Sequence, residues 1–373
     1  MKIEILQENL NELIQSASRV VSGKGQLPVL NNVLLSAEKG QLRVTATNLE
    51  TGINLWRGVK VIEDGKVTVP AKIFLEMVAS LPKGVVKIET EAEKISVSCE
   101  GYKAKINGIA AEEFPEVPSL RQGKKEPEKG LMIKKDEFIK AVERVAIAAG
   151  TDEARPIFTG IKLEIGPDGV RMAATDGYRL SIKKIAGKSK EKGTMVIPAK
   201  ALSEMAKAAG QENGEEVGLV AAEAEKQLIM SIGGVEVVTR LLEGEFPDFD
   251  KIVPTVKGTS VIMETEELKQ AVRAAAVFAK DSANIVKFKI GKKEISISAN
   301  APQVGENEVK MEGEIDGEEV EIAFNSRYLM EMLGVIKEEK IRMEATGPLS
   351  PGVFKAAKGE DWLQIIMPVR VQG

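Results

Sequence analysis

Val69-Pro70-Ala71-Lys72, with Phe74-Leu75-Glu76-Met77 behind it, occurs a second time as Ile197-Pro198-Ala199-Lys200 with Leu202-Ser203-Glu204-Met205. A third version reads Phe324-Asn325-Ser326-Arg327 with Leu329-Met330-Glu331-Met332, so the stretch recurs at intervals of 128 and 127 residues. Two further series keep nearly the same period. Leu10, Phe138 and Leu268 each sit in an amphipathic run, and Pro28 and Thr47-Asn48 return 128 residues later as Pro156 and Thr175-Asp176. Agreement among unrelated markers makes the chain a tandem of three copies, and a repeat of this kind governs the whole fold.

Each copy runs in one order: a short strand, an amphipathic helix, alternating strands, a second helix entered through the Pro-Ala-Lys corner, and more strands. Leu10, Leu13, Ile14, Ala17 and Val20 have helical spacing, as do Phe138, Ala141, Val142, Val145 and Ala149. Asn9, Asp136 and Thr265 are the expected N-caps of these first helices. Alternation predicts strands over 41–47, 170–175 and 294–299. The class expected is α+β, with helices on one side of an antiparallel sheet. Linkers are expected at Arg121 to Gly130 and Pro254 to Ser260, which gives copies over 1–122, 130–254 and 259–373.

Composition removes most enzyme chemistries. The 373 residues carry 52 Lys and Arg against 56 Asp and Glu, a net charge of −4, and no histidine. Without histidine there is no His-ligated metal site and no Ser-His-Asp or Cys-His nucleophile. Cys99, the lone cysteine, sits in an alternating stretch as a small packing residue, and no disulfide can close within the chain. Neither a signal peptide nor a run of ~18 apolar residues is present, so the cytoplasm is the expected compartment. Ser-x-x-Lys occurs at Ser36, Ser80, Ser181 and Ser189, and its scatter marks coincidence rather than a Ser-Lys nucleophile. Glu245, Asp248 and Asp250 could be offered as a Mg²⁺ site, but Pro247 and Phe249 between them suit a packed turn. No cofactor and no catalysis are expected. Two alternatives to catalysis remain, a nucleic-acid holder and a scaffold that binds only proteins, and basic residues on the recurrent helices separate them.

Leu27-Pro28-Val29-Leu30, Ala174-Thr175-Asp176-Gly177-Tyr178-Arg179-Leu180, Gly244-Glu245-Phe246-Pro247-Asp248-Phe249 and Ile366-Met367-Pro368-Val369-Arg370, in this order and within three copies, resemble the beta subunit (sliding clamp) family of bacterial DNA polymerase III over all 373 residues. The resemblance implies three clamp domains per chain and two chains head to tail in a ring. Helices would line the hole, antiparallel sheets would lie outside, and duplex DNA would be threaded through. It implies a homodimer with Ala104, Ile106, Val277 and Phe278 at its joint. Basic residues of the helices and their loops would face phosphates: Arg19, Lys24, Lys72, Arg144, Lys200, Lys207, Arg273 and Arg327. It also implies a groove for short partner peptides, formed by Phe158, Thr175, Gly177, Tyr178, Arg179, Leu180, Pro247, Ile252, Ile365, Met367, Pro368, Val369, Arg370 and Val371. Partners implied are the replicative DNA polymerase alpha subunit, the clamp loader, translesion polymerases and mismatch-repair proteins, and no membrane. Tyr178 stands where the family commonly has histidine, and Gln372-Gly373 extends past the usual end.

Overall fold

A computed structural model of the chain describes all residues except 22–26, 122–129, 188–191, 223–225, 255–257, 360 and 371–373. The first copy contains β1 (Lys2–Leu6), α1 (Gln7–Ser18), β2 (Asn32–Glu38), β3 (Gln41–Thr47), β4 (Thr51–Gly58), β5 (Lys60–Glu63), β6 (Gly65–Pro70), α2 (Ala71–Ser80), β7 (Val85–Glu91), β8 (Lys94–Cys99) and β9 (Tyr102–Asn107). The second contains β10 (Leu131–Lys134), α3 (Lys135–Ala146), β11 (Gly160–Gly166), β12 (Gly169–Thr175), β13 (Arg179–Ala186), β14 (Gly193–Pro198), α4 (Ala199–Gln211), β15 (Glu216–Ala222), β16 (Gln227–Ile232) and β17 (Val235–Arg240). In the third are β18 (Thr259–Glu264), α5 (Thr265–Ala279), β19 (Ile285–Ile290), β20 (Ile295–Ala301), β21 (Gly305–Met311), β22 (Glu314–Asp316), β23 (Val320–Asn325), α6 (Ser326–Val335), β24 (Lys340–Ala345), β25 (Gly352–Ala356) and β26 (Trp362–Ile366).

The strand-to-helix entry is built the same way three times. Strand runs directly into helix, and the first helical N–H is taken by a carbonyl just ahead of a neighbouring strand: Gln7 N donates to Gly84 O at 2.9 Å, Lys135 N to Glu215 O at 2.8 Å, and Thr265 N to Glu339 O at 2.8 Å. The expected side-chain caps are therefore corrected. Asn9 and Asp136 lie inside the first turn and Thr265 opens its helix, while the cap positions Leu6 and Glu264 offer no side-chain bond. A donor already bound by backbone has no need of a capping oxygen. At the second helices Pro70 and Pro198 hold the corner, and Asn325 in the third accepts from Arg327 N at 2.9 Å as a true N-cap. The second linker is shorter than expected, because β18 already begins at Thr259.

Two sheets cross the boundaries between copies. One has the order β10-β15-β16-β17-β4-β3-β2-β6, the other β14-β11-β12-β13-β26-β25-β24-β18-β22. Smaller sheets, β5-β1-β7-β8-β9 and β21-β20-β19-β23, complete the first and third copies. By compactness Met1–Ile139 with Lys200–Leu241 form one unit and Lys140–Ala199 with Leu242–Gly373 another, because the strands of the middle copy are divided between the two long sheets.

In the third copy Leu268, Val272 and Ala275 of α5 and Leu329, Met332 and Leu333 of α6 are buried against Phe288, Ile297, Phe324 and Phe354. Phe324 meets both Phe288 and Phe354 edge-on at 5.6 Å, the arrangement ring quadrupoles favour. The opposite sheet face is covered where two copies join. Leu180, Ile182, Val353 and Ile365 pack there with Phe246 and Phe249, and Leu34, Ile229 and Val238 pack likewise with Phe114 and Val117. Among the described residues no helix is long and apolar enough to cross a membrane.

Candidate functional site

The corner quoted first sets one cation at the same place in each copy. Lys72, Lys200 and Arg327 are the second residues of α2, α4 and α6, and all three are exposed with no ion-pair partner among the described residues. They project from the first turn, at the positive end of the helix dipole, which favours an anion. Arg273 on α5 is exposed as well. Lys207 is exposed but bonded to Glu204 at 2.9 Å, and Arg19 is half-buried against Glu204 at 3.3 Å. Lys24 lies outside the described residues.

Arg144 is corrected. It is 1% exposed and reaches both carboxylate oxygens of Glu338 at 2.5 Å, with its guanidinium 5.4 Å from the Trp362 ring. Ser181 Oγ donates to Arg144 O at 2.8 Å and accepts from Trp362 Nε1 at 3.3 Å. A cation held this way serves the joint between copies and cannot reach a phosphate.

The groove residues gather around the turn between β12 and β13. Asp176 Oδ1 accepts from Tyr178 N and Arg179 N, and Thr175 Oγ1 accepts from Gly177 N while donating to Arg179 O. Gly177 occupies φ +93° freely, whereas the matching turn of the first copy forces Leu49 to +74°. Tyr178 is left 62% exposed beside the end of β26, where Met367 N donates to Tyr178 O at 2.9 Å. The tail then runs along β23, with Val369 N donating to Ala323 O at 2.8 Å. Met367, Arg370 and Ile252 are exposed, and Phe158, Pro247, Pro368 and Val369 are half-buried. Val371 lies outside the described residues.

Leu180 and Ile365 are buried in the apolar layer with Phe246 and Phe249, so they underlie the surface and do not wall it. Arg179 is not free to meet a peptide: it is 8% exposed, bonded to Asp176 at 3.0 Å and to Glu331, and stacked 4.4 Å over the Tyr328 ring. Tyr328 and Glu331 of α6 were not anticipated as neighbours of this turn. The repeat had carried only the helix, because the first two copies place Ile73 and Ala201 where the third has Tyr328. Burial, with the Asp176 charge adding to it, pushes the Tyr328 hydroxyl pKa up.

Elsewhere, β9 and β21 are edge strands, with Ala104 and Ile106 half-buried. Val277 is 61% exposed, and Phe278 packs partly on the core of its own copy. Asp250 is bonded to Arg171, which holds its carboxyl below the usual range, and Asp248 pairs with Lys251 at 2.8 Å. No metal-holding cluster of three acidic, His or Cys residues occurs among the described residues.

Family models match the chain three times: the DNA polymerase III beta subunit N-terminal domain over 1–118, the central domain over 132–248 and the C-terminal domain over 250–370. A "Beta sliding clamp" of Synechocystis sp. is 30% identical over 396 residues, covering 100% of both chains. One from Bacillus subtilis is 29% identical, over 99% of this chain and 100% of that one. Among solved structures, a DNA polymerase sliding clamp from Bacillus subtilis superposes with TM-score 0.91 at 27% identity. A DNA polymerase III beta subunit from Thermotoga maritima gives 0.91 at 25%, and both cover 100% of each chain.

Proposed function

Since the chain belongs to the DNA polymerase III beta subunit family, we propose that it is a polymerase processivity clamp. Two copies close into a ring around duplex DNA, hold it without reading its sequence, and tether other proteins through the groove beside Tyr178. The carrying observation is the exposed cation at the second position of α2, α4 and α6. Cations spaced by an internal repeat suit the regular phosphates of a duplex and carry no base information. Lys24 and Arg273 join this set, while Arg144 does not.

Copies over 1–122, 130–254 and 259–373 act as three domains, and Ala104, Ile106, Val277 and Phe278 lie at the joint between chains. The groove takes extended peptides of the replicative polymerase alpha subunit, the clamp loader, translesion polymerases and mismatch-repair proteins. Its polar rim comes from Arg370 and the backbone around Tyr178, since Arg179 is already bonded. Binding and positioning, without catalysis, are the whole of its work, in the cytoplasm.

Topology predicts the test. Loaded on nicked circular duplex, the protein should remain through a high-salt wash, and linearising the circle should release it. Equal retention on circular and linear DNA would overturn the reading.

A further inference from the structure

The frame of the groove exists twice in the chain. At the turn between β3 and β4, Thr47 Oγ1 accepts from Leu49 N and donates to Thr51 O, and Asn48 Oδ1 accepts from Glu50 N and Thr51 N. These are the bonds of the turn between β12 and β13, 128 residues earlier in the chain. Arg240 N donates to Glu50 O at 3.1 Å, as Met367 N does to Tyr178 O. Glu113-Phe114-Pro115-Glu116-Val117 returns as Glu245-Phe246-Pro247-Asp248-Phe249, and each strap lays its apolar side chains on the sheet where two copies join.

The floors of the two frames differ. Gly52 stands where the second has Leu180, and a Cβ on Gly52 would lie 2.6 Å from Val117 Cγ1. Gly52 has no positive φ, so this contact, and not the backbone, demands glycine. With no side chain on the floor, the strap over 114–121 lies down on the sheet and is bonded to both joined strands. Asn54 Nδ2 donates to Pro118 O at 3.1 Å, and Glu236 Oε2 accepts from Leu120 N at 3.3 Å. Arg121 fastens the far end, bonded to Gly233 O and stacked 4.6 Å over the Trp56 ring. Asn54 and Glu236 face each other across β4 and β17; their counterparts Ile182 and Leu363 face each other across β13 and β26 and have no polar side-chain atom to offer. The tie of the second strap, Asp250 to Arg171, is made to β12, one strand away from the joint. Accordingly Leu120 is packed on the apolar layer, whereas Ile252 at the same strap position is 40% exposed.

We propose that the first joint between copies holds a closed version of the peptide groove, kept shut by Gly52, Asn54 and Glu236, and that Leu180 under a strap without those ties selects the second joint for peptides. This rests on the groove reading above and adds why the site is single in a chain that carries its frame twice. The rim agrees with the floor. Leu49, Glu50 and Arg240 take the places of Gly177, Tyr178 and Met367, so an apolar anchor entering the first joint would have to desolvate two charges.

Calorimetric titration of the full-length protein with a pentapeptide that begins in Gln and ends in Leu-Phe counts the sites, and hydrogen exchange over 114–121 reads the strap. The parent should bind one peptide per chain, and binding should leave exchange over 114–121 unchanged. Asn54→Ile with Glu236→Leu, the residues of the second joint, should speed that exchange about tenfold, the worth of the one or two net hydrogen bonds removed. Leu49→Gly, Gly52→Leu and Arg240→Met together should lift the strap and bring a second peptide per chain. Two peptides on the parent, unchanged exchange in the double variant, or a folded triple variant that still takes one peptide would each overturn the closed groove. A parent that binds no peptide would overturn the groove reading itself, and the exchange contrast between parent and double variant decides the strap without any peptide.

Discussion

Arg144 is the residue whose surroundings changed its meaning. Alone on a helix with Lys140 it reads as a cation facing phosphates, because Glu338 is 194 residues away in the chain. Removing Arg144 leaves Glu338, a quarter exposed, with the Lys140 ammonium at 3.9 Å as a partner, so the cost should fall below the ~3 kcal/mol of breaking a fully buried pair. Arg144→Ala should therefore lower the urea midpoint, while the salt dependence of DNA binding stays as in the parent. Burial pushes the Glu338 carboxyl up, but the hydrogen bond and charge of Arg144 more than reverse it, and its pKa ends below the usual value. Asp361 is shifted in the same direction, with Lys183 overcoming burial. A depressed carboxyl pKa contributes stability that is present above the unfolded value, about 4.3 for glutamate, and lost as pH falls through the folded value. Glu338→Gln removes that share, so its melting temperature should fall less steeply than the parent's between about pH 5 and 3. Equal slopes would show that the pair contributes nothing to the acid limb.

The helix corner is the element that the sequence disclosed most fully. Pro70, Pro198 and Asn325 fix where α2, α4 and α6 begin, so the sequence alone places the cations after them. Replacing Lys72, Lys200 and Arg327 together by alanine removes six cations from the two-chain ring and should reduce the salt slope of duplex binding by up to about 5.4, or ~0.9 per phosphate contact. Titrations from low to moderate salt read that slope, and a change below about one would place these helices away from DNA. Strands over 41–47 and 170–175 were legible from the alternation of Gln41-Leu42-Arg43-Val44 and Val170-Arg171-Met172, although both continue with residues buried on both faces, Val44 to Thr47 and Met172 to Thr175. Helix caps were not, since the bonds to Gly84, Glu215 and Glu339 come from backbone far along the chain and leave no mark on local residue types. The groove was half legible. Tyr178 and Met367 stand out as residue types near strand ends, but that Leu180 and Ile365 lie beneath Phe246 and Phe249 depends on a packing no periodicity records.

At the scale of the molecule, the sheets ignore the boundaries between copies. A chain ended after residue 122 would bare β4, whose Ile53 and Leu55 are buried and paired with β17 in the whole chain. Such a fragment should aggregate, and the full chain should melt without an early transition from an independent first copy; calorimetry of the two checks this. The shared sheets also impose a timetable on synthesis. Leu55 must wait for Val235, about 180 residues later, and Lys183 waits nearly as long for Trp362. At roughly 5–20 residues per second each edge stands bare on the ribosome for about 10 to 40 s. Among the described residues β9 and β21 remain sheet edges in the folded chain, so the nascent protein carries both of them bare throughout its synthesis. Lys103 and Lys105 charge one of these edges and Glu306 and Glu308 the other, and charge on a bare edge strand discourages unwanted strand addition between newly made chains.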